Sequence, residues 1–310
     1  MSALRLGTRR SALALAQSQL VADAVTAATG ADVTLVPITT HGDVTPDSLA
    51  TIGGTGVFVS ALRDALLMGE IDVAVHSLKD LPTGDVAELE LVAVPGRADP
   101  RDALVARDGM TLLTLPVNAK VGTGSPRRAA QLKAFRPDLE VVDIRGNVDT
   151  RVGLVASGEV DAVVLAVAGL QRLRRLDVVT ETLEPAVMLP APGQGALAVE
   201  MVAQRDGDER HALLRQLDDP VARASVTAER AVLAALEAGC SAPVGALGVV
   251  SESPTSEPQL TVEALLASAD AHTVTRMSIT SSVEEAETAG RQLAVRLLDA
   301  VEPVTSREHL

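Results

Sequence analysis

The stretch GEIDVAV (69–75) recurs later in the chain as GEVDAVV (158–164). Two further pairs of segments recur in the same order: Ile38 with HGD (41–43) beside Ile144 with RGN (145–147), and GT (7–8) beside GT (122–123). Each pair joins a β-branched run to a turn or a helix start, which is typical of alternating α/β layers. The pattern predicts two similar α/β lobes with a cleft between them, and chance repetition of common residues is the alternative.

Hydrophobic periodicity places the elements of these lobes. Strands are predicted at 4–6, 33–38, 71–76, 120–122, 141–144 and 161–165. Helices are predicted at 11–27, 58–68, 127–135, 148–156 and 221–237. The alternation of the two element types indicates an α/β fold for this part of the chain.

The last third of the chain has a different pattern. Asp219 and Pro220 form a helix start, with an N-cap residue followed by proline at the first helical position. Three strand-like runs follow at 244–250, 259–267 and 273–279, and the polar segment 251–258 is predicted to be a loop. Ser281 and Glu284 predict a capping box for a final helix. A small α+β domain is therefore expected from about Pro220.

Composition limits the functional classes. The 310 residues carry 27 basic and 41 acidic side chains, a net charge of −14, with 47% apolar residues. Two Phe and no Tyr or Trp argue against base stacking, and the acidic balance disfavours a nucleic-acid partner. No apolar stretch reaches the ~20 residues of a membrane span, and arginines occupy the N-terminal region where a signal peptide is apolar. We expect a cytoplasmic protein without a nucleic-acid or membrane partner.

Basic residues are concentrated in one part of this acidic chain. Between Lys120 and Arg151 there are seven basic and four acidic side chains, and 24 of the 27 basic residues of the chain are arginines. Arginine binds carboxylates and phosphates in a bidentate manner. Both lobes also place an arginine pair beside a helix start, at TRRS (8–11) and TGSPRR (123–128), where free N–H groups attract anions. An anion site is predicted, although Ser11 and Ser125 could serve only as helix caps.

Two other loops carry reactive side chains. Asp80 follows the strand predicted at 71–76, where a carboxylate could stabilise a cation; capping of a turn is the alternative. Cys240, the one cysteine, lies in the small-residue loop AGCSAP (238–243) and could be a reactive thiol, although a lone cysteine is more often buried and inert. A single cysteine excludes an intrachain disulfide, and the five histidines lack metal-ligand spacing, so no metal is expected.

Nine motifs in order resemble the porphobilinogen deaminase (hydroxymethylbilane synthase) family over nearly the whole chain. They are TRRSALA (8–14), AVHSLKDLP (74–82), DPRDA (99–103), GTGSPRR (122–128), RGNVDTR (145–151), LAVAGL (165–170), PGQGA (192–196), TAER (227–230) and GCSAPVG (239–245). The resemblance implies two periplasmic-binding-protein-like α/β lobes plus a small α+β C-terminal domain. It divides the chain into domain 1 (1–97 and 195–217), domain 2 (98–194) and domain 3 (218–310).

The resemblance also implies a transferase activity. The Cys240 thiol would hold a dipyrromethane cofactor through a thioether, the cofactor being built from the substrate porphobilinogen. Four porphobilinogen molecules would then be added, each losing ammonia to give an electrophilic azafulvene, before hydrolysis releases linear hydroxymethylbilane. A monomer is expected, with its product passing to uroporphyrinogen III synthase.

Site residues are carried over from the matching motif positions. Asp80 would be the catalytic carboxylate, stabilising positive charge on pyrrole nitrogens and assisting proton transfer. The expected cofactor contacts are Cys240, Lys79, Asp80, Thr123, Ser125, Arg127, Arg128, Arg145 and Gly146. The expected substrate contacts are Arg9, Ser11, Gln17, Arg145, Arg151, Arg172 and Gln194. Many arginines suit a ligand in which every pyrrole ring bears two carboxylates.

One segment departs from the family pattern. Thr51, Thr55 and Ser60 stand where lysines are common in the family, so a lid contact with substrate carboxylates is not carried over. Phe58 could pack over the cleft or belong to the core. A non-catalytic two-lobed anion-binding protein is the competing functional class, because fold does not fix function.

Overall fold

The structure is a computed structural model that describes residues 3–38, 57–203, 209–236, 243–253, 256–268 and 273–301. Cys240, Thr51 and Thr55 lie outside the described residues, as do the HGD motif (41–43) and the side chain of Phe58.

The described residues form strands and helices in alternation through most of the chain. In chain order the strands are β1 (Leu4–Arg9), β2 (Val33–Ile38), β3 (Val73–Ser77), β4 (Leu89–Ala93), β5 (Asp102–Ala106), β6 (Lys120–Gly122), β7 (Glu140–Val142), β8 (Ala162–Ala166), β9 (Glu181–Leu183), β10 (Leu197–Val202), β11 (Val244–Ser253), β12 (Ser256–Ala267) and β13 (Val274–Ser282). The helices are α1 (Ala12–Thr29), α2 (Val57–Leu67), α3 (Pro126–Phe135), α4 (Val148–Ala156), α5 (Val167–Arg172), α6 (Glu209–Arg215), α7 (Pro220–Ala235) and α8 (Ala286–Val301).

Two five-stranded sheets have the same arrangement of strands. The first has the order β2-β1-β3-β10-β4 and the second β7-β6-β8-β5-β9. In each sheet the first three strands are parallel and the fourth runs antiparallel to both of its neighbours. The antiparallel strand β10 of the first sheet comes from a distant part of the chain, after all the strands of the second sheet, whereas β5 directly precedes β6 of its own sheet. The prediction of two similar α/β lobes is confirmed.

The repeated motif GE(I/V)D has the same local structure in both lobes. Gly69 and Gly158 adopt positive φ values of 70° and 76°, so each ends a helix with a left-handed turn that glycine adopts at low cost. The aspartate three positions later bonds the equivalent parallel strand of its own sheet, β1 or β6: Asp72 N donates to Arg5 O at 2.8 Å, and Asp161 N donates to Lys120 O at 2.9 Å. The motif therefore joins a helix end to the sheet in both copies.

Helix starts follow the predicted capping chemistry. Ser11 accepts from Ala14 N at 3.3 Å, and Ser125 accepts from Arg128 N at 3.5 Å with Pro126 at the first helical position. Asp219 accepts from Ala222 N at 2.9 Å at the start of α7. These side chains satisfy backbone N–H groups that have no partner inside their helices.

The C-terminal part is a three-stranded antiparallel sheet, β11-β12-β13, with α7 and α8. Its core joins apolar side chains of both helices to the sheet and includes Val232, Val262, Leu293 and Leu297. The predicted small α+β domain is therefore confirmed as an architecture. The first two sheets have their own cores, centred on Leu6, Val73 and Val199 and on Leu104, Val121 and Val164.

Two compact units account for the chain. The first comprises Met1–Pro100, Ala168–Arg175 and Gly193–Arg223, and the second comprises Arg101–Val167, Leu176–Pro192 and Ala224–Leu310. The second sheet and the C-terminal sheet belong to the same unit. The division into three domains at 1–97 with 195–217, 98–194 and 218–310 stays a prediction. Within the described residues no helix combines the length and the apolar character that a membrane crossing requires.

Three local predictions are wrong. The segment 251–258 is not a loop throughout, because β11 and β12 extend into it and Ser253 pairs with Ser256. The last helix is preceded by a 3-10 turn at Val283–Glu285 capped by Ser282, without a side-chain cap bond. Ser281 instead donates from its hydroxyl to Ser282 O at 3.0 Å, so the expected capping box is absent there. The strand predicted at 141–144 ends at Val142 in β7, and residues 143–144 lie beyond it. Ile144 packs over Gly122, which accounts for an apolar residue outside the strand.

Candidate active site

The turn that carries Asp80 is anchored by its neighbours. β3 ends at Ser77, and a 3-10 turn follows at Leu78–Asp80. Leu78 is fully buried and its backbone N–H donates to Ala196 O at 3.1 Å, while Asp80 is exposed and Lys79 is half-buried. The carboxylate of Asp80 therefore reaches solvent from a fixed piece of backbone, at the carboxyl end of a strand where α/β sheets bind their ligands.

The glycines of the PGQGA motif (192–196) let the backbone of that segment pass close to the Asp80 turn. Gly193 and Gly195 have φ values of 74° and 88°, a region that side chains disfavour. A Cβ on Gly195 would lie 2.5 Å from Ala98 O, and one on Gly193 would lie 3.2 Å from a Leu78 side-chain carbon. Between them Gln194 is buried, donates to Pro100 O at 2.7 Å and accepts from Lys79 Nζ at 3.2 Å.

Other predicted residues of the first unit bond to the same two segments. Gln17 of α1 is buried and donates to Ser77 Oγ at 2.8 Å. Arg172 donates to Gly195 O at 2.6 Å, and burial lowers the pKa of its guanidinium to about 10. Arg9 ends β1, which is paired in parallel with β3. The structure thus brings Gln17, Lys79, Asp80, Arg172 and Gln194 together around the Asp80 turn.

In the second unit, a buried carboxylate bridges the arginine pair at the start of α3. Asp102 accepts from Arg127 Nη2 at 2.8 Å through one oxygen and from Arg128 Nη2 at 2.7 Å through the other. Arg127 also donates to Leu189 O at 2.6 Å, and Arg128 to Val164 O at 2.9 Å. The three side chains are almost completely buried, and burial lowers the pKa of Arg127.

The remaining arginines of this unit are more accessible. Arg145 is exposed and bonds Asp143 at 3.1 Å, and Arg151 is half-buried with its Nε donating to Gly146 O at 2.8 Å. Burial lowers the pKa of Arg151, and the nearby charges of Arg128 and Arg145 lower it further, while Asp143 acts in the opposite direction. The clustered positive charges disfavour the protonated form of each neighbouring guanidinium, and a bound anion would relieve this repulsion.

Two hydroxyl groups lie at the helix start beside these arginines. Thr123 is buried and its Oγ1 accepts from Ser125 N at 3.2 Å, and Ser125 caps α3. A Cβ on Gly124 would lie 2.8 Å from Ile144 O, so the loop 122–125 passes close to the loop that leads to Arg145. Thr123, Ser125, Arg145, Gly146 and Arg151 therefore share one end of the second sheet.

Sequence reasoning missed Asp102 and Gln131. Gln131 is buried, accepts from Leu189 N at 2.7 Å through Oε1 and donates to Leu189 O at 3.0 Å through Nε2. Asp102 did give a signal, because it opens the fully buried strand DALVA (102–106) and a buried carboxylate needs a cationic partner. The signal did not identify which arginines would be the partners.

Two protein-family models match the chain. A family model described as "Porphobilinogen deaminase, dipyromethane cofactor binding domain" matches residues 4–210, and one described as "Porphobilinogen deaminase, C-terminal domain" matches residues 224–299. The chain belongs to the porphobilinogen deaminase family. The resemblance inferred from the nine sequence motifs is confirmed.

Relatives in this family match over nearly full length. Porphobilinogen deaminase 1 of Streptomyces coelicolor is 56% identical and covers 96% of this chain and 95% of its own. Porphobilinogen deaminase of Cutibacterium acnes is 52% identical over 100% of this chain and 92% of its own. Among solved structures, a putative methionine-binding lipoprotein from Bacillus subtilis is 11% identical with a TM-score of 0.42, covering 69% of this chain and 89% of its own.

Proposed function

We propose that the protein is a hydroxymethylbilane synthase that joins four porphobilinogen molecules head to tail, with loss of ammonia, on a dipyrromethane cofactor bound to Cys240. The observation that carries this proposal is the match of residues 4–210 to the cofactor-binding family model, together with the anchored Asp80 turn inside that range. The chain is then a transferase, and hydrolysis releases its linear product.

The donors of the second unit suit a cofactor that carries carboxylates. Arg145 and Arg151 present guanidinium groups beside the hydroxyls of Thr123 and Ser125, and Arg127 Nε is buried without a hydrogen-bond partner among the described residues. Such a donor set fits two rings that each bear an acetate and a propionate. We assign cofactor binding to these residues with Arg127, Arg128, Gly146 and Lys79. When bound, the dipyrromethane supplies the terminal pyrrole carbon to which new units are attached.

The second unit contributes charge neutralisation more than proton transfer. Asp102 neutralises one of the two charges of Arg127 and Arg128, so the pair retains one net positive charge in a buried place. Charge in a site shielded from water interacts more strongly with a ligand carboxylate than a surface charge does. Arg128, Arg145 and Arg151 would hold the ligand in register through such interactions.

The first unit contributes the reacting carboxylate. Asp80 would stabilise the positive charge that develops on a pyrrole nitrogen and would accept and return a proton at its carboxylate oxygen. Its turn is fixed by Ala196 and by the Lys79–Gln194 bond, so the carboxylate does not need to be repositioned for each addition. Arg9, Ser11, Gln17, Arg172 and Gln194 are assigned to substrate binding, with Arg145 and Arg151 from the second unit.

The cellular setting is proposed from the family resemblance. We propose a cytoplasmic monomer whose linear product is passed to uroporphyrinogen III synthase. Thr51, Thr55 and Ser60 stand where lysines are common in the family, so a lid contact with substrate is not part of the proposal. Ser60 is exposed on α2.

Two substitutions test the assigned roles. Asp80→Asn should still carry the cofactor but should lower kcat at least about 100-fold, which is the usual contribution of a general acid or base. Cys240→Ala should carry no cofactor and give no hydroxymethylbilane. Asp85→Asn is the matched control, because Asp85 is an exposed carboxylate a few residues beyond Asp80, and it should keep nearly normal turnover. Near-normal turnover of Asp80→Asn, or product from Cys240→Ala, would remove the corresponding role.

A further inference from the structure

The segment 185–190, here called the 185–190 strip, is bonded from the C-terminal sheet. Arg276 of β13 donates from Nη2 to Pro185 O at 2.7 Å and from Nη1 to Ala186 O at 2.9 Å. Its Nε donates to Glu263 on the neighbouring strand β12. Ala246 N of β11 donates to Pro190 O at 3.0 Å. Arg276 therefore satisfies two backbone carbonyls and one carboxylate with a single planar group.

On its other side the strip is bonded by residues of α3. Gln131 bonds both the N–H and the C=O of Leu189, and Arg127 Nη1 donates to the same carbonyl. Leu189 is fully buried, as is Asp102, which holds Arg127 and Arg128. Consequently, one short piece of backbone connects the C-terminal sheet to the arginine pair that the proposed function assigns to the cofactor.

The bonded part of the C-terminal sheet is close in sequence to Cys240. β11 begins at Val244, and a Cβ on Gly245 would lie 3.1 Å from Leu189 O. This distance is shorter than most Cβ contacts, so glycine lets β11 approach the strip closely without displacing the Leu189 carbonyl. β11, the strand that follows Cys240, therefore contacts one end of the strip through Gly245 and Ala246. Arg276, on β13 of the same sheet, bonds the other end.

We propose that Arg276 is a positioning residue that sets the place of the cysteine-bearing domain relative to Arg127 and Arg128. The inference rests on the proposed function, since it concerns the cofactor that Cys240 would hold. All of the contacts lie within the second compact unit. A displacement of about 1 Å between an anchor and the groups that orient its ligand can lower a rate about 100-fold. Loss of the Arg276 bonds should therefore slow the chemistry more than it weakens substrate binding.

The test compares three variants of the holoenzyme. Arg276→Leu keeps an apolar side chain and removes every donor, and we expect about a 10-fold lower kcat with a KM for porphobilinogen within about twofold of wild type. Arg276→Lys restores a charge and a donor and should recover part of the lost kcat. Glu263→Gln removes the ion-pair partner while leaving both carbonyl bonds, so it should retain nearly all of kcat. Because Arg276 and Glu263 are partly exposed, all three variants are expected to fold.

Several outcomes decide between the explanations. A wild-type kcat in Arg276→Leu, or an equal loss in Glu263→Gln, would overturn the positioning role, as would a loss confined to KM. Failure of the proposed function would give a different result. The wild-type protein would then carry no cofactor mass, and neither it nor any variant would turn over porphobilinogen.

Discussion

At the scale of single residues, Glu200 shows how this chain places a charge in its interior. Glu200 of β10 is buried and accepts from Arg63 Nη2 at 2.7 Å, and His76 Nε2 lies 3.3 Å from its other oxygen. Burial alone raises the pKa of Glu200, but the contacts with His76 and Arg63 outweigh burial and leave the pKa below its usual value. The carboxylate is therefore ionised in the folded protein, and it ties α2 to β3 and β10.

Glu200→Gln should lower the free energy of unfolding by about 3 kcal/mol at pH 7, because it leaves a buried cation without its counterion. Since the folded-state pKa is lowered, the stabilisation is complete above the ordinary glutamate value of 4.5 and is lost as the pH falls through the lowered value. The difference between wild type and variant should therefore shrink on acidification. Denaturant unfolding between pH 7 and pH 3 measures it.

Glu287→Gln provides the control for that series. Glu287 is an exposed partner of Arg291 on α8, and such pairs contribute roughly 0.3–0.5 kcal/mol. Its effect should be small at every pH. A Glu200→Gln difference that stays constant or grows toward acid would contradict the assignment of an ionised Glu200.

Residue-level prediction from the sequence succeeded where the cause is local. Ser11, Ser125 and Asp219 cap the helices that follow them because capping depends on a few neighbouring positions. Asp102 and Glu200 were not recognised as ion-pair centres, since their partners are distant in sequence; Arg63 and Glu200 are separated by 137 positions. No local pattern shows such a pairing.

At the scale of elements, two helical glycines have opposite surroundings. Gly290 of α8 faces α7, where an added Cβ would lie 2.2 Å from Ala228 O and 2.7 Å from Ala231 Cβ. Gly153 of α4 has nothing within 4 Å of an added Cβ. The contact of α7 with α8 therefore depends on the absence of a side chain, whereas α4 tolerates one.

The same substitution should thus have opposite signs at these two positions. Gly290→Ala should destabilise the protein by about 1–3 kcal/mol, because the clash is with backbone that cannot move freely. Gly153→Ala should stabilise it by roughly 0.5–1 kcal/mol through the lower flexibility of the unfolded chain. Denaturant midpoints of the two variants provide the measurement. A change of stability with the same sign in both variants would contradict the close packing at Gly290.

Helices and strands were predictable where their own sequence has a clear hydrophobic periodicity. β2, β6 and α4 match the sequence prediction residue for residue. Strands β4, β5, β9 and β10 were missed, because their apolar runs form strands only through pairing across the sheets. The polar ends of β11 and β12 were interpreted as a loop for a related reason: hairpin pairing overrode their turn-like composition.

At the scale of the whole molecule, two copies of one sheet arrangement carry different charged side chains at their ends. The first sheet presents an exposed carboxylate at Asp80, and the second presents arginines at 145 and 151 beside the buried pair at 127 and 128. The sequence revealed this through its repeat and its local excess of positive charge in an acidic chain. It could not show which arginines are already engaged by Asp102, because that depends on the tertiary structure.

The mass of the intact purified protein tests the central claim most directly. The account predicts that the chain is heavier than its sequence by one dipyrromethane, and that limiting porphobilinogen adds a ladder of peaks spaced by single pyrrole units. Cys240→Ala should show neither. A folded wild-type protein with the unmodified sequence mass and no ladder would contradict the account.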